Sequence, residues 1–326
     1  MKKLFVALCA VAALAACAKE EIVSLDNGET IQFGNAFVNN AVRATDPSYS
    51  ANDISSFKVY GTVDGDGAGS VAPVLIYPGA TVSKNTHNYG VAWDCTDANG
   101  NEIKQYWVPG ATYKFVGIVD GNKSGVTKTN LDTAGMPTTI EYTADGVTDL
   151  LCQTITKTAK TDGTANGLVA FNFTHLLSKV KFTVNNKSSN VSNYLHKVTN
   201  IKVSNAYASA IYNIAGESWG SKTNNGGQAF DSITADLAAV ECANEKLLIP
   251  HDAATVSFTI ELYYVNDGTE TLVSTKDYAP TTTYKLEAAK AYNFNIDVKV
   301  GELIQFTVTE QPKWTNDPTG FDVPLQ

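Results

Sequence analysis

Apolar and polar residues alternate along most of the chain with a period of two, the spacing that places successive side chains on opposite faces of a β-strand. The pattern is longest near the C-terminus, at residues 256–264 and 292–300. Shorter examples occur at residues 57–63, 113–119, 169–184 and 201–214. Each strand is therefore predicted to bury one face and to expose the other.

Turn-forming residues separate these strands, including Asn99-Gly100, Asp120-Gly121, Asp267-Gly268 and the longer runs 64–67 and 225–227. Many short antiparallel strands joined by such turns predict an all-β protein of packed sheets, a sandwich architecture. Residues 235–247 are the one stretch whose composition would also suit a short helix.

The length of 326 residues suggests two domains, each able to bury its own core. Strand signals thin out at residues 157–167, which contain few groups to bury. We therefore expect an N-terminal domain at 44–175 and a C-terminal domain at 176–326.

The N-terminus has the pattern of a secretory signal, because Lys2 and Lys3 precede an apolar run too short to span a bilayer. That run ends in Leu-Ala-Ala-Cys at residues 14–17, which resembles the lipobox of bacterial lipoproteins. Residues 1–16 would then be removed between Ala16 and Cys17, and acyl chains on Cys17 would anchor the protein to the outer membrane. The alternative is an ordinary signal peptide with a chance cysteine. Lys19-Glu20-Glu21 resembles a surface-export tag.

The charge pattern argues against nucleic acid as a partner. The formal net charge is -9, and no run of Lys or Arg follows Lys2 and Lys3. A phosphate-binding surface needs such a local excess of basic residues.

The candidate metal and redox residues are few and scattered. If Cys9 leaves with the signal peptide and Cys17 takes lipid, Cys95, Cys152 and Cys242 remain, so at most one disulfide can form, and its pairing stays open. The four histidines lie far apart, and Asp97 with Asn99 and Asn101 is better explained as a turn than as a Ca²⁺ loop. No cofactor or metal is predicted.

One segment matches a catalytic motif. Residues 216–220 fit the Gly-x-Ser-x-Gly nucleophile elbow around Ser218, with Asp231, Asp236 and His251 following in hydrolase order. The elbow requires a helix directly after the serine, and the polar residues 221–227 cannot form one. We therefore interpret the motif as a loop and predict that the chain is not an enzyme.

A family resemblance lies at the centre of the chain. Residues 171–184, Phe-Asn-Phe-Thr-His-Leu-Leu-Ser-Lys-Val-Lys-Phe-Thr-Val, resemble the central signature of the fimbrillin family, the lipoprotein subunits of type V pili. Leu247-Leu248-Ile249-Pro250 and Trp314 fit the same family. The resemblance implies two tandem β-sandwich domains of transthyretin-like topology, no catalytic residues, and assembly by strand exchange.

The resemblance also implies roles for the two ends of the chain. Residues 17–43 would be a lipidated propeptide whose placeholder strand carries Ile31, Phe33 and Phe37 on one face. A trypsin-like Arg-specific protease would cut between Arg43 and Ala44, although Arg43 could also be a plain exposed arginine.

The tail, residues 302–326, would donate a strand to a neighbouring subunit. Its two alternating segments carry six apolar side chains, those of Ile304, Phe306, Val308, Phe321, Val323 and Leu325. Burying six such groups would yield roughly 9 to 18 kcal/mol before ordering costs. The alternative is that these residues form the last hairpin of the C-terminal domain.

The expected function is therefore that of a pilus structural subunit in cell adhesion, surface-exposed on the outer membrane and part of the fimbrium after maturation. Its partners would be copies of itself or related pilins, and a receptor on host or bacterial surfaces. Stalk, tip and anchor roles stay open. The rival is a non-polymerising surface adhesin or glycan-binding module, in which Trp93, Trp107, Trp219 and Trp314 could offer stacking faces to a sugar.

Overall fold

The computed structural model describes residues 29–38, 54–65, 72–84, 93–121, 123–188, 193–224, 227–235, 240–242, 245–301 and 305–311. Every regular element within these ranges is a β-strand, which confirms the all-β prediction. No helix of the described part is long and apolar enough to cross a membrane.

Nine strands precede residue 176: β1 (Phe33–Val38), β2 (Ser56–Asp64), β3 (Val74–Lys84), β4 (Trp93–Thr96), β5 (Thr112–Val119), β6 (Thr127–Leu131), β7 (Pro137–Thr143), β8 (Leu151–Thr158) and β9 (Val169–His175). The next seven are β10 (Ser178–Asn186), β11 (Tyr194–Val203), β12 (Tyr207–Asn213), β13 (Ser218–Asn224), β14 (Gln228–Ala229), β15 (Ile233–Ala235) and β16 (Val240–Cys242). The last seven are β17 (Lys246–Leu248), β18 (His251–Ala254), β19 (Val256–Asn266), β20 (Thr269–Tyr278), β21 (Tyr284–Leu286), β22 (Ala291–Val298) and β23 (Gln305–Gln311).

The predicted alternating segments coincide largely with strands, although 169–184 and 201–214 each span two strands with a short break between them. Asp267 and Gly268 both have positive φ, 47° and 77°, as the two-residue turn between β19 and β20 requires. The suggested helix at 235–247 is wrong. Residues 240–242 and 246–248 are short strands that pair with β10, because an exposed strand edge satisfies their backbone and Leu247 and Leu248 face buried clusters.

The N-terminal sandwich is a folded sheet of seven strands in the order β1-β9-β8-β5-β2-β3-β4. β1 runs parallel to β9, whereas the other pairs are antiparallel. The β1–β9 pair lies across the core from the other strands, since Phe33 of β1 contacts rings on β2, β3 and β5. The first described strand is therefore part of this core.

The C-terminal sandwich encloses a second core between two sheets. One has β10 and β22 at its centre and β23 at its edge, and the other has β11 and β19 at its centre and β20 at its edge. Phe182 stacks on Phe294 with ring centroids 5.0 Å apart, and Phe230 meets Phe182 edge-on at 4.8 Å. The predicted sandwich architecture is thus confirmed, and the transthyretin-like topology stays a prediction.

A smaller sheet joins the two sandwiches. Its order is β13-β12-β7-β6, with β7 from before and β12 from after the predicted boundary at 175/176. Trp219 packs against Tyr142 and Tyr212 beneath it, and its indole N–H donates to the Leu176 carbonyl at 2.9 Å. The two halves therefore share a buried cluster as well as backbone hydrogen bonds.

Candidate functional site

The candidate functional site is the groove of the N-terminal sandwich that holds residues 29–33, and Phe33 lies at its centre. We call this groove the seat of the first strand. The Phe33 ring lies 5.3 Å from Tyr77, 6.1 Å from Phe115 and 6.3 Å from Phe57 between ring centroids, all edge-on. It also stacks on Phe171 of β9 at 6.4 Å. Only 3% of Phe33 is exposed, so a residue near the chain's start fills a pocket built by residues far along it.

Backbone hydrogen bonds hold the same segment on both sides. The Ile31 N–H donates to the Gln105 carbonyl at 2.7 Å, and the Trp107 N–H donates to the Glu29 carbonyl at 2.9 Å. On the other side, the Val169 N–H donates to the Gln32 carbonyl at 2.8 Å. Residues 29–33 are thus bonded to two separate parts of the N-terminal sandwich.

The alternation predicted for this strand holds as far as Phe33. Ile31 and Phe33 are both buried, as predicted. The pairing with β9 shifts between Gly34 and Phe37, where β1 has one residue more than its partner. Ala36, which lies within this bulge, is buried. The backbone of Phe37 lies in β1, and its side chain lies outside the described part.

Glu29 fixes the start of the segment by a clamp to the loop before β9. Its carboxylate accepts hydrogen bonds from the Asn166 N–H at 2.7 Å, the Asn166 side-chain amide at 2.8 Å and the Gly167 N–H at 3.3 Å. Lys157 orders the same loop by donating to the carbonyls of Asn166, Gly167 and Leu168. Its ammonium also lies over the Trp107 ring, 5.0 Å from the centroid.

Acid should weaken the hold on the first strand through Glu29. Hydrogen bonding from the Asn166 backbone, together with its side chain and Gly167, lowers the pKa of Glu29 below its usual 4.5. A lowered folded-state pKa contributes stability above the unfolded-state pKa, and this contribution is lost as the pH falls through the folded-state value. We expect the protection factor of the Trp107 amide against hydrogen exchange to fall below about pH 4, and to fall more in the native chain than in Glu29→Gln.

Asp162→Asn is the matched control for this prediction. The pKa of Asp162 is also lowered, by hydrogen bonds from Thr164 within the same loop, but its carboxylate bonds to Thr164 and not to the first strand. The Asp162→Asn variant should therefore keep the native pH dependence at Trp107. Equal acid responses of the native chain and Glu29→Gln would contradict the role of Glu29.

Phe306 and Val308 of the C-terminal segment lie in β23, the edge strand on β22. Phe306 lies opposite Ile296 and Val308 opposite Phe294 in an antiparallel ladder, and Val308 is half-buried against the C-terminal core. Ile304, Phe321, Val323 and Leu325 lie outside the described residues, as do Ala16, Cys17, Arg43 and Ala44. Residues 305–311 are thus seated in their own domain.

The nucleophile-elbow motif lies in a β-hairpin. Ser218 opens strand β13, directly after a turn in which Glu217 has a φ of 45°, so a strand stands where the elbow requires a helix. His251 accepts the Ala253 N–H at Nδ1 and lies 3.0 Å from the Asn205 carbonyl at Nε2, so both ring nitrogens are engaged. This confirms that residues 216–220 do not form an elbow.

Most of the remaining candidate residues also have structural roles. The Asp97 carboxylate accepts the N–H groups of Asn99 and Asn101, as a turn requires, and no described cluster of His, Cys, Asp or Glu could hold a metal ion. His175 is buried with Nδ1 2.6 Å from Asp149, consistent with a packed core residue.

The described cysteines and tryptophans also have structural roles. Cys95 and Cys152 are free thiols, and burial raises the pKa of each to about 12. Trp93 and Trp107 are core residues, and Trp219 is half-buried at the junction between the sandwiches. These three tryptophans therefore do not form the exposed aromatic platform that a glycan-binding module would need, and Trp314 lies outside the described residues.

Comparison with known proteins identifies the class. A family model described as fimbrillin-like matches residues 43–312, most of the chain. The chain therefore belongs to the fimbrillin-like family. No curated protein sequence matches it.

Solved structures share the fold. A fimbrial protein from Bacteroides vulgatus is 13% identical with a TM-score of 0.58, over 79% of this chain and 93% of that one. A protein from Bacteroides ovatus, provisionally assigned to cell adhesion, is 17% identical with a TM-score of 0.50, over 89% and 99%. At such low identity, these matches establish the shared fold.

Proposed function

We propose that this protein is a structural subunit of a type V pilus that serves cell adhesion, and that its N-terminal strand is a removable placeholder. The observation that carries the proposal is the burial of Phe33 at the centre of the N-terminal core. A domain whose core contains its own leading strand is left with an open groove and unpaired backbone when that strand departs. Such a domain can then accept a strand from another molecule.

The position of Arg43 supports removal by proteolysis. It follows the end of β1 by five residues, and it is the sole arginine in the sequence. An Arg-specific protease would therefore have one site in the whole chain. A cut between Arg43 and Ala44 severs the first strand, and the lipid on Cys17 with it, from the rest of the protein.

The tail is the proposed donor. Residues 302–326 carry two alternating apolar segments, and β23 lies at the edge of its sheet with a single strand neighbour among the described strands. Leaving that edge breaks one ladder and keeps the central β10–β22 pair intact. In this proposal, subunits start as lipoproteins on the outer membrane and polymerise after the lipid is cut away.

Treatment of the full chain with an Arg-specific protease tests the proposal. We expect a new N-terminus at Ala44, together with a ladder of oligomers that persists in SDS. The Arg43→Gln variant should give neither. A fragment that begins at Ala44 and stays monomeric at high concentration would contradict assembly by strand exchange.

A further inference from the structure

The segment that leads into β1 and the segment that begins the C-terminal tail contain nearly the same six residues. Residues 28–33 are Gly-Glu-Thr-Ile-Gln-Phe, and residues 301–306 are Gly-Glu-Leu-Ile-Gln-Phe. Five of the six are identical, and only Thr30 and Leu303 differ. Both segments show alternating apolar residues, but that pattern does not reveal the identity. It distinguishes only apolar from polar positions and not one residue type from another.

The identical residues include those that the N-terminal groove holds through their side chains. Glu29 is clamped by the loop before β9, while Ile31 and Phe33 are buried in the core. Gln32 is exposed and contributes its carbonyl to the Val169 N–H. The one position that differs, Thr30, is half-buried and is held by a backbone bridge to Tyr106, which any side chain could make.

The similarity ends directly after Phe33. After Phe33 comes Gly34, and the corresponding tail residue is Thr307. A Cβ at position 34 would lie 2.3 Å from Cδ1 of Leu168, so that side chain would have to turn aside. Leu168 is 47% exposed, and its end is free to rotate into solvent. The clash is therefore a modest cost to a tail that binds in place of the first strand.

We propose that residues 302–306 of one copy occupy, in another copy, the seat that residues 29–33 fill in this structure. The incoming segment runs parallel to β9 in the same register, with Glu302 at the clamp, Ile304 in place of Ile31, and Phe306 in the ring pocket of Phe33. This inference rests on the proposed function and specifies which part of the tail is the donor.

The last two residues of the hexapeptide then have two alternative positions. Within its own chain, Gln305 and Phe306 lie in an antiparallel ladder opposite Asp297 and Ile296. In another copy, the same residues would form a parallel ladder and fill an aromatic pocket. Because residues 29–33 present the same Glu, Ile and Phe to the groove, the tail can bind only after they have left it. The matching sequences thus make removal of the first strand a condition for capture of a neighbour.

Cysteine trapping between two variants tests the register. Gly34 is the Cα partner of Ala170 across the β1–β9 pair, so Thr307 of a donor would face Ala170. Ala170 and Thr307 are both exposed. The full-length Ala170→Cys and Thr307→Cys variants are cut with an Arg-specific protease, mixed, and incubated with oxidised glutathione. We expect a disulfide-linked dimer in the mixture that neither variant forms alone, and much less of it without the protease.

Two controls distinguish a wrong register of the donor strand from a failure of the proposed function. Asp322→Cys replaces Thr307→Cys, because Asp322 would face Ala170 if Phe321 filled the ring pocket. A disulfide through position 322 and not through position 307 would overturn the proposed binding of the hexapeptide in the groove, but donor-strand assembly would still hold. An oligomer ladder that contains neither disulfide would have the same meaning. The second control is the unsubstituted chain, which reports any disulfides of the native cysteines. Absence of any ladder from that chain after cutting would end both the inference and the proposed function.

Discussion

Replacing Phe33 by alanine is expected to destabilise the N-terminal sandwich by about 3–5 kcal/mol, because it empties a fully enclosed ring pocket. The cavity would be lined by Tyr77, Phe115 and Phe171, which pack around Phe33 and cannot all collapse into the space. Urea unfolding measures this loss. Hydrogen exchange at the Val169 amide, which bonds to the Gln32 carbonyl, shows whether the first strand also leaves more often.

Phe182→Ala is the matched control, since Phe182 is equally buried but lies in the C-terminal core. It should cost a similar free energy and leave exchange at Val169 near its native rate under conditions where both sandwiches stay folded. If Phe33→Ala lowered stability without accelerating exchange at Val169, the first strand would be held by its backbone and Glu29 rather than by the ring pocket.

Substitution of Gly117 by valine should disturb the same core from the opposite layer. Gly117 lies in β5, and a Cβ there would come within 2.7 Å of the Phe171 ring and 2.9 Å of the Phe173 ring. Both rings are fully buried, so neither can move aside into solvent. We expect a loss of about 1–3 kcal/mol from overpacking and a displaced Phe171, and therefore a weaker seat for the first strand.

Gly220→Val supplies the comparison for this change. Gly220 also lies in a strand, β13, but no heavy atom outside its neighbours lies within 4 Å of the added Cβ. The substitution should be neutral or slightly stabilising, because valine suits a strand better than glycine. Thermal unfolding of both variants tests this prediction. An equal loss of stability in the two variants would show that overpacking at position 117 is not the cause of the destabilisation.

The strands and turns of this fold could be predicted from sequence because each depends on local chemistry. Period-two alternation located β2, β5, β19 and β22, and Asp-Gly or Asn-Gly pairs located the turns. The short strands at 240–242 and 246–248 were not predicted, because their conformation is fixed by pairing with β10, which lies more than fifty residues away in sequence. Tertiary pairing overrides a weak local preference for helix.

The site could be predicted only in part. Ile31 and Phe33 stood out as apolar positions on one face, and both are buried. The bulge after Gly34 could not be read from alternation, since it depends on the register with β9. Glu29 was also missed, because its partners are backbone N–H groups of residues 166 and 167, and no sequence pattern marks such donors. The one available signal was the repeated hexapeptide.

The sheet shared by β7 and β12 has a mechanical consequence for any fibre built from this protein. Five consecutive residue pairs, from Ser209 with Thr143 to Asn213 with Thr139, connect the two sandwiches side by side. Tension along the fibre would therefore be carried by this ladder and by the chain crossing at 175/176 together. A subunit joined in this way resists bending between its two sandwiches. Under flow, the contacts between neighbouring copies would therefore stretch first.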